Sequence, residues 1–370
     1  MGDSRWREGW RTGRVACCAV TVDGQELGRR LRERERLAAP AALNLIEDRS
    51  AAGRGQTAAL LREVAPAALG GEAPAHLVGL TGPPGAGKST LLSALVHEWR
   101  SRGQTVAVLA VDPSSRRSGG SLLGDRARIE HDHADDGVLI RSTAAGGRLG
   151  GLAAPTREAA QALAAAFDVV VIETVGVGQS ETDVEEVCDT VAVVVQPGSG
   201  DTLQFLKAGI MEVPDVLVVT KADLGDVALR SRRDLAQAAR AIGSRDVPVI
   251  AVSSVPPPSG IPELADALAT HRDGLDLPAR RLRSRRLTAL RELVAEHGEA
   301  ALRALGGRRD AERRLAALDP ALDTAELVAA LHGQADAEAT ATRATPAAPD
   351  AEATTPRTTP AALPPKDAAT

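Results

Sequence analysis

The chain has 370 residues, of which 44% are hydrophobic and 25% are charged, and its formal net charge is −5. This balance is ordinary for a globular protein and argues against a general nucleic-acid binder, which needs a basic surface. Only 1% of the residues are aromatic, so the core must consist of Ala, Leu, Val and Ile, and aromatic stacking of bases is not expected.

The sequence pattern predicts no targeting signal. No apolar run approaches the ~20 residues that cross a bilayer, and the first ten residues, MGDSRWREGW, lack the apolar stretch of a secretory signal. The cysteines are Cys17, Cys18 and Cys188, and their odd number and spacing predict neither a disulfide framework nor a zinc site. We therefore expect a cytoplasmic protein with no membrane partner.

Changes in pattern along the chain predict five segments. Residues 1–24 show no periodicity and are expected to be loose, whereas residues 25–69 repeat Ala and Leu on one face, as in a helical extension. Residues 70–272 alternate short apolar runs with helical stretches, and residues 273–335 form a charged helical arm. Residues 336–370 are rich in Ala, Thr, Pro and Asp, and we expect them to be disordered.

The segment 70–272 carries the fold. Its short apolar runs are HLVGLTG, TVAVLAVD, GVLIRS, FDVVVIET, TVAVVVQP, DVLVVTKAD and VPVIAVSS. Several runs are apolar on both faces, which is typical of parallel strands covered by helices on both sides. The pattern predicts an α/β fold with a doubly wound, mostly parallel sheet flanked by helices.

Residues 82–90 read GPPGAGKST between a predicted strand and a predicted helix, which is the Walker A pattern of a P-loop. Glycines let the backbone curl and present its N–H groups to phosphate oxygens. Lys88 is expected to reach the β- and γ-phosphates, and the Ser89 hydroxyl to bind Mg²⁺. The alternative is a glycine-rich turn without a ligand. The predicted phosphate-binding residues are Gly82, Pro83, Pro84, Gly85, Ala86, Gly87, Lys88, Ser89 and Thr90.

A buried strand, FDVVVIET, ends in an acidic residue, Glu173. In P-loop hydrolases an acid at such a strand end holds the Mg²⁺ shell, although Asp is usual there. Gly176 follows and is a candidate for sensing the γ-phosphate through its N–H group, and Gln179 is a candidate for orienting water. The alternative for Glu173 is an acidic strand end that faces solvent.

Two further acids are candidates for the metal. Asp112 ends the predicted strand TVAVLAVD, and Asp125 lies in the glycine-rich segment SGGSLLGDRAR, which has the composition of a switch loop. Capping a helix is an equally good interpretation of Asp125. The predicted metal ligands are Ser89, Asp112, Asp125 and Glu173.

The segment DVLVVTKAD predicts the base that the site prefers. After a strand it places Thr220, Lys221 and Asp223, and a carboxylate there accepts hydrogen bonds from the ring N–H and the amine of guanine. Lys221 would cover the base with its aliphatic stem. The more frequent residue at the Thr220 position is Asn. The backbone N–H groups predicted to meet the guanine carbonyl belong to Ser253, Ser254 and Val255.

Five segments together resemble the MeaB/ArgK family of P-loop GTPases: GPPGAGKST, VDPSS, GGSLLGDRAR, ETVGVGQSE and LKAGIMEVPDVLVVTKAD. The resemblance covers about residues 25–334. Thr220 in place of Asn, and SRR after VDPS, depart from the usual pattern of this family.

This resemblance implies a fold and a role. The fold is a P-loop GTPase with a helical N-terminal extension and a C-terminal helical arm used for homodimerisation. The role is that of a chaperone for methylmalonyl-CoA mutase and related adenosylcobalamin-dependent acyl-CoA mutases, which gates cofactor delivery and protects or reactivates the mutase. Residues 197–207 would form a further switch, in which Lys207 links the nucleotide state to the partner.

Several other groups of residues have competing interpretations. The motif HDHADD is a candidate nickel or zinc site, although a solvated turn is favoured because no cysteine cluster supports it; it contains His131, His133, Asp135 and Asp136. An arginine run is a candidate nucleic-acid contact, but a solvated helix face or an acidic partner is favoured; it contains Arg280, Arg281, Arg283, Arg285 and Arg286.

The sequence as a whole predicts a Mg²⁺-dependent GTPase. The chain lacks the Asp-x-His-x-x-Gly motif that ligates cobalt in many cobalamin enzymes, so adenosylcobalamin is expected to belong to the partner mutase. Three alternatives remain open at this stage. They are a nickel-insertion GTPase, an ATP-dependent kinase linked to amino-acid transport, and a nucleotide-gated binding module that barely hydrolyses.

Overall fold

The computed structural model of the chain describes residues 23–112, 129–132, 134–144, 152–174, 180–198, 214–241 and 247–344. Among the helices of this part, none is both long and apolar enough to cross a bilayer.

A parallel sheet of seven strands forms the centre of the described chain, in the order β3-β2-β4-β1-β5-β6-β7. The strands are β1 (His76–Thr81), β2 (Val106–Asp112), β3 (Val138–Ala144), β4 (Val169–Glu173), β5 (Thr190–Val195), β6 (Val216–Val219) and β7 (Val249–Ala251). Every residue of β1, β4, β5 and β6 is buried. The predicted α/β fold with a doubly wound parallel sheet is therefore confirmed.

Helices cover both faces of the sheet. The helices of the central segment are α5 (Lys88–Ser101), α6 (Ala154–Ala166), α7 (Ser180–Val187), α8 (Asp226–Ala241) and α9 (Ile261–Asp273). Helices α5 and α9 share one core with alternate strand residues, and α6, α7 and α8 share the other core with the remaining strand residues. This division follows from the two-residue period of a strand.

The N-terminal helices belong to the second of these cores. They are α1 (Gly24–Arg32), α2 (Ala39–Glu47), α3 (Ala51–Glu63) and the short α4 (Pro66–Leu69). Leu31, Leu43 and Leu60 are completely or almost completely buried in the core that also contains α6. At Gly28, a Cβ would lie 2.5 Å from the carbonyl oxygen of Leu60, so α1 and α3 can cross this closely only with glycine there.

The C-terminal arm is a small bundle with a core of its own. It consists of α10 (Leu277–Ala304), α11 (Arg308–Ala317) and α12 (Thr324–Ala344). Leu293, Leu315 and Leu331 are buried together at its centre. Within α10, Gly298 has φ 73° and ψ 175°, so the helix is kinked there.

The arginine run at the start of α10 fastens the arm to the sheet. Arg281 is only 7% exposed and binds both oxygens of the Asp189 carboxylate, at 2.9 and 2.7 Å. Arg285 lies 2.9 Å from Glu72, and Arg280 lies 3.5 Å from Asp215. The prediction of a solvated face is therefore wrong for these three arginines.

Helix α10 also carries a carboxyl group with a raised pKa. Burial raises the pKa of Glu292, on α10, from 4.5 to about 7, opposed by the nearby charge of Arg157 and reinforced by Glu158 and Glu296. The Arg157 guanidinium lies 3.9 Å from the Glu292 carboxylate. Arg157, Glu158 and Glu292 line a cavity of about 140 Å³ between α3, α6 and α10.

We predict that replacing Glu292 by Gln removes a pH-dependent loss of stability. Because the folded-state pKa lies above the unfolded value of 4.5, the folded protein binds more protons between pH 4.5 and about 7, and the free energy of unfolding falls as the pH rises through that window. Glu292→Gln should therefore be more stable than the wild type by about 2 kcal/mol at pH 8, with little difference at pH 5. Urea unfolding at both pH values measures this effect.

The matched control is Glu296→Gln, one helical turn further along α10, where the side chain is 63% exposed. Because the charge of Glu296 is one of the smaller contributions to the raised pKa of Glu292, this control should change the free energy of unfolding at pH 8 by no more than about 0.5 kcal/mol. Equal stability of Glu292→Gln and the wild type at pH 8 would contradict the prediction.

Candidate functional site

The predicted phosphate loop connects the end of β1 to the start of α5. Gly82 has φ 143°, and a Cβ there would lie 2.1 Å from the carbonyl oxygen of Val194, so only glycine fits. Gly87 has φ 88° and precedes Lys88, the first residue of α5. The loop therefore ends at a helix N-terminus, where backbone N–H groups and the helix dipole favour an anion.

Lys88 reaches back over this loop. Its side chain is 8% exposed, and its ammonium group donates to the carbonyl oxygens of Gly82 at 2.6 Å and Pro83 at 3.1 Å. These contacts hold the charge inside the curve of the loop, where it can meet the phosphates of a nucleotide.

Ser89 and Glu173 come together across the sheet edge. The Ser89 hydroxyl donates to the Glu173 carboxylate at 2.9 Å, and Glu173 is 9% exposed. The N–H group of the next residue, Thr174, donates to the carbonyl oxygen of Leu80 at 3.0 Å. The Thr174 hydroxyl donates to the Thr81 hydroxyl, also at 3.0 Å. These bonds hold the end of β4 against the end of β1, which feeds the phosphate loop. The solvent-facing alternative for Glu173 is thereby excluded.

The donor groups at this edge suit Mg²⁺, a hard cation that prefers oxygen ligands. A hydroxyl and a carboxylate already lie within one hydrogen bond of each other, at Ser89 and Glu173. Asp112 ends β2, two residues after Ala110, which pairs with Glu173 in the neighbouring strand β4. The backbone therefore places Asp112 at the same edge, and its role as a metal ligand stays a prediction.

The predicted base-binding residues lie beside the loop. The Lys221 ammonium donates to the side-chain oxygen of Gln196 at 2.7 Å and to the carbonyl oxygen of Gly85 at 3.4 Å. Asp223 is exposed, and its carboxylate accepts a hydrogen bond of 2.9 Å from the Ser253 hydroxyl. The N–H group of Val255 donates to that same hydroxyl at 3.3 Å.

Some contributors were not predicted. The sequence indicated backbone N–H groups at Ser253, whereas the structure adds its hydroxyl as the group that orients Asp223. Gln196 and Thr81 were not predicted at all, and both are polar residues at strand ends, which is the one signal that singles them out. Thr220 was noted only as a departure from Asn, yet its hydroxyl contacts the phosphate loop.

Four of the predicted site residues lie outside the described part of the chain: Asp125, Gly176, Gln179 and Lys207. Their proposed roles in metal binding, phosphate sensing, water orientation and partner coupling stay predictions.

Within the motif HDHADD, the described residues 134–136 form a turn before β3. Asp135 binds the Arg100 guanidinium at 2.7 and 2.8 Å and accepts from the N–H group of Gly137 at 2.8 Å. The hydrogen bond from Arg100 lowers the pKa of Asp135. Among the residues that the structure describes, which exclude His133, no three His, Cys, Asp or Glu side chains converge as a metal site.

These features define a P-loop nucleotide hydrolase. They are a parallel sheet, a glycine-rich loop that leads into a helix, a lysine inside that loop and a carboxylate that is hydrogen-bonded to the helix serine. The chain belongs to the family described as methylmalonyl Co-A mutase-associated GTPase MeaB, whose model matches residues 39–305. The predicted resemblance and the GTPase activity are thereby confirmed.

Individual relatives agree with this assignment. A protein of Pyrococcus abyssi that carries the name of a GTPase is 42% identical over 268 residues, which is 70% of this chain and 80% of that protein. A Caenorhabditis elegans protein named methylmalonic aciduria type A homolog, mitochondrial, is 39% identical over 230 residues, covering 59% of this chain and 57% of that protein.

A solved structure of similar fold is that of a protein called LAO/AO transport system kinase. It is 28% identical, with a TM-score of 0.57, and the match covers 84% of this chain and 96% of that one.

Proposed function

We propose that this GTPase acts as a chaperone of an adenosylcobalamin-dependent acyl-CoA mutase of the methylmalonyl-CoA mutase type. In this role it gates delivery of the cofactor to the mutase and protects or reactivates the mutase. The observation that carries the proposal is the family match over residues 39–305, because it includes the phosphate loop, the base-binding strand and the whole of α10. The name of the Caenorhabditis elegans relative also supports it.

The hydrolytic step depends on positioning and on neutralisation of charge. Backbone N–H groups of residues 82–90 and the Lys88 ammonium bind the phosphates, and Asp223 selects guanine. When bound, Mg²⁺ neutralises charge that develops on the phosphates, and Ser89, Glu173, Asp112 and Asp125 are the residues proposed to hold it. Gly176 and Gln179 are proposed to sense the γ-phosphate and orient water.

Coupling to the mutase is proposed to run through residues 197–207, with Lys207 as the link to the partner. Loops at this edge order or collapse with the γ-phosphate in other nucleotide switches. The protein is proposed to act in the cytoplasm as a homodimer joined by the arm, and light scattering of the purified chain at several concentrations measures that state.

Steady-state GTP hydrolysis with and without a mutase tests the proposal. Methylmalonyl-, ethylmalonyl- and isobutyryl-CoA mutases, each loaded with adenosylcobalamin, are added in turn to the purified chain. We expect one of them to raise the rate by about tenfold or more, because a partner that completes the switches stabilises the transition state. Lys88→Ala should show no rise with any mutase. Unchanged rates, together with no complex in GTP or GDP, would sink the proposal.

The second candidate function is ATP-dependent transfer of phosphate to a protein in amino-acid transport. It is favoured by one observation, the likeness at 28% identity to the solved structure whose protein is called a transport system kinase. This candidate requires tighter binding of ATP than of GTP and the appearance of labelled phosphate on protein. Free inorganic phosphate as the sole labelled product would exclude it.

A further inference from the structure

Thr220 joins the base-binding strand to the phosphate loop. It follows β6 and is 4% exposed. Its hydroxyl donates to the carbonyl oxygen of Ala86 at 2.7 Å and lies 3.2 Å from the carbonyl oxygen of Val195. Its N–H group donates to the same Val195 oxygen at 3.0 Å. The side chain therefore lies between the phosphate loop and the end of β5.

The chemistry of a hydroxyl limits what Thr220 can do. A threonine hydroxyl has one hydrogen, whereas an asparagine amide has two hydrogens and also a carbonyl acceptor. Both neighbours of this hydroxyl are carbonyl oxygens, which accept and do not donate, so its one hydrogen is directed to Ala86 or Val195. No hydrogen remains for the unprotonated ring nitrogen N7 of a purine.

The loop side of this contact is also buried. Ala86 is 0% exposed, so water cannot replace the hydroxyl if it is removed. A buried carbonyl that loses its donor raises the free energy of that conformation, and the loop is then expected to shift. Such a shift would move the N–H groups that face the phosphates.

We infer that Thr220 is a positioning residue for the phosphate loop and does not read the base. An Asn at this position could hold the loop and donate to N7 at once, and Thr retains only the first of these functions. Guanine is then selected by Asp223 and by the backbone near Ser253, without a contact from Thr220 to N7. This inference concerns the GTPase site and does not depend on the mutase partner.

Isothermal titration of GDP in Mg²⁺ tests the positioning role. Thr220→Val keeps the shape of the side chain but removes the hydroxyl, and it should weaken GDP binding about tenfold. Thr220→Ser keeps the hydroxyl and should bind GDP within about threefold of the wild type. Thr220→Ala also lacks the hydroxyl and serves in place of the valine variant if that variant does not fold.

A second ligand separates positioning from base reading. In 7-deaza-GDP a C–H group replaces N7, so only an N7 contact distinguishes it from GDP. The relevant ratio is the dissociation constant for 7-deaza-GDP divided by that for GDP. It should be the same, within about twofold, for the wild type, Thr220→Ser and Thr220→Val, while the GDP affinity itself falls in the valine variant. By contrast, Thr220→Asn should raise this ratio about fivefold, because it adds one donor.

Two outcomes would overturn the inference. One is a wild-type preference for GDP over 7-deaza-GDP that disappears in Thr220→Val, since the hydroxyl would then be reading N7. The other is GDP binding by folded Thr220→Val and Thr220→Ala that equals the wild type, since the hydroxyl would then not position the loop.

Discussion

Replacing Asp223 by Asn should weaken GDP binding by roughly a hundredfold and raise the affinity for the xanthine nucleotide XDP. A carboxylate accepts hydrogen bonds from both the ring N–H and the amine of guanine. Xanthine has a carbonyl oxygen in place of that amine, and the amide of Asn can donate to it. The Ser253 hydroxyl, 2.9 Å from Asp223, holds the side chain at this position in the wild type.

Calorimetric titration with GDP, XDP and ADP in Mg²⁺ measures the exchange of preference. The matched control is Asp226→Asn, three residues further along, which removes an equal charge from an exposed acid at the start of α8. That control should leave all three affinities within about twofold, because long-range effects of an exposed charge are screened by salt. Tight GDP binding by Asp223→Asn, or ADP binding by the wild type as tight as GDP, would contradict the assignment of the base.

The parts of the fold that were predicted from sequence are those encoded by local patterns. The apolar runs at 76–81 and 169–173 are buried along their whole length, which is what central parallel strands require. The glycine-rich phosphate loop was also predicted from its residues. The structure explains the glycine at position 82, because its close approach to Val194 excludes any side chain. Parallel strands also end at one edge, so Ser89 and Glu173 were expected to meet although 84 positions separate them.

The parts that were not predicted depend on contacts between distant segments. A run of arginines has the same pattern whether it faces water or a buried acid. Arg281 finds Asp189 at a separation of 92 positions and the carbonyl oxygen of Ala73 at a separation of 208. Thr220 is a similar case, because its partner Ala86 lies 134 positions away and only the folded sheet brings them together.

Loss of the Arg281 side chain should strongly destabilise the protein. It donates to both Asp189 oxygens and to the carbonyl oxygens of Ala73 and Ala75, and the Asp189 side chain is 1% exposed. Arg281→Met would leave this carboxylate buried without its counter-charge. Breaking a buried pair from one side costs about 3–5 kcal/mol, which corresponds to a fall in Tm of roughly 10 °C.

The helix offers a matched control two residues away. Arg283 is exposed, so Arg283→Met should change the free energy of unfolding by no more than about 0.5 kcal/mol. Adding Asp189→Asn to Arg281→Met removes the buried charge that the first change leaves behind. The double variant should therefore lose less stability than the sum of the losses in Arg281→Met and Asp189→Asn. Calorimetric melting of the wild type, the two single variants and the double variant measures this difference.

The position of this pair separates stability from nucleotide binding. Asp189 precedes β5 and accepts from the N–H group of Leu77 at the start of β1, whereas the phosphate loop follows the other end of β1. The six residues of that strand place the two ends roughly 17 Å apart. Arg281→Met should therefore bind GDP within about twofold of the wild type at temperatures where it is folded. A fall in GDP affinity that matches the fall in stability would instead mean that the Arg281–Asp189 pair and the nucleotide site are coupled through β1.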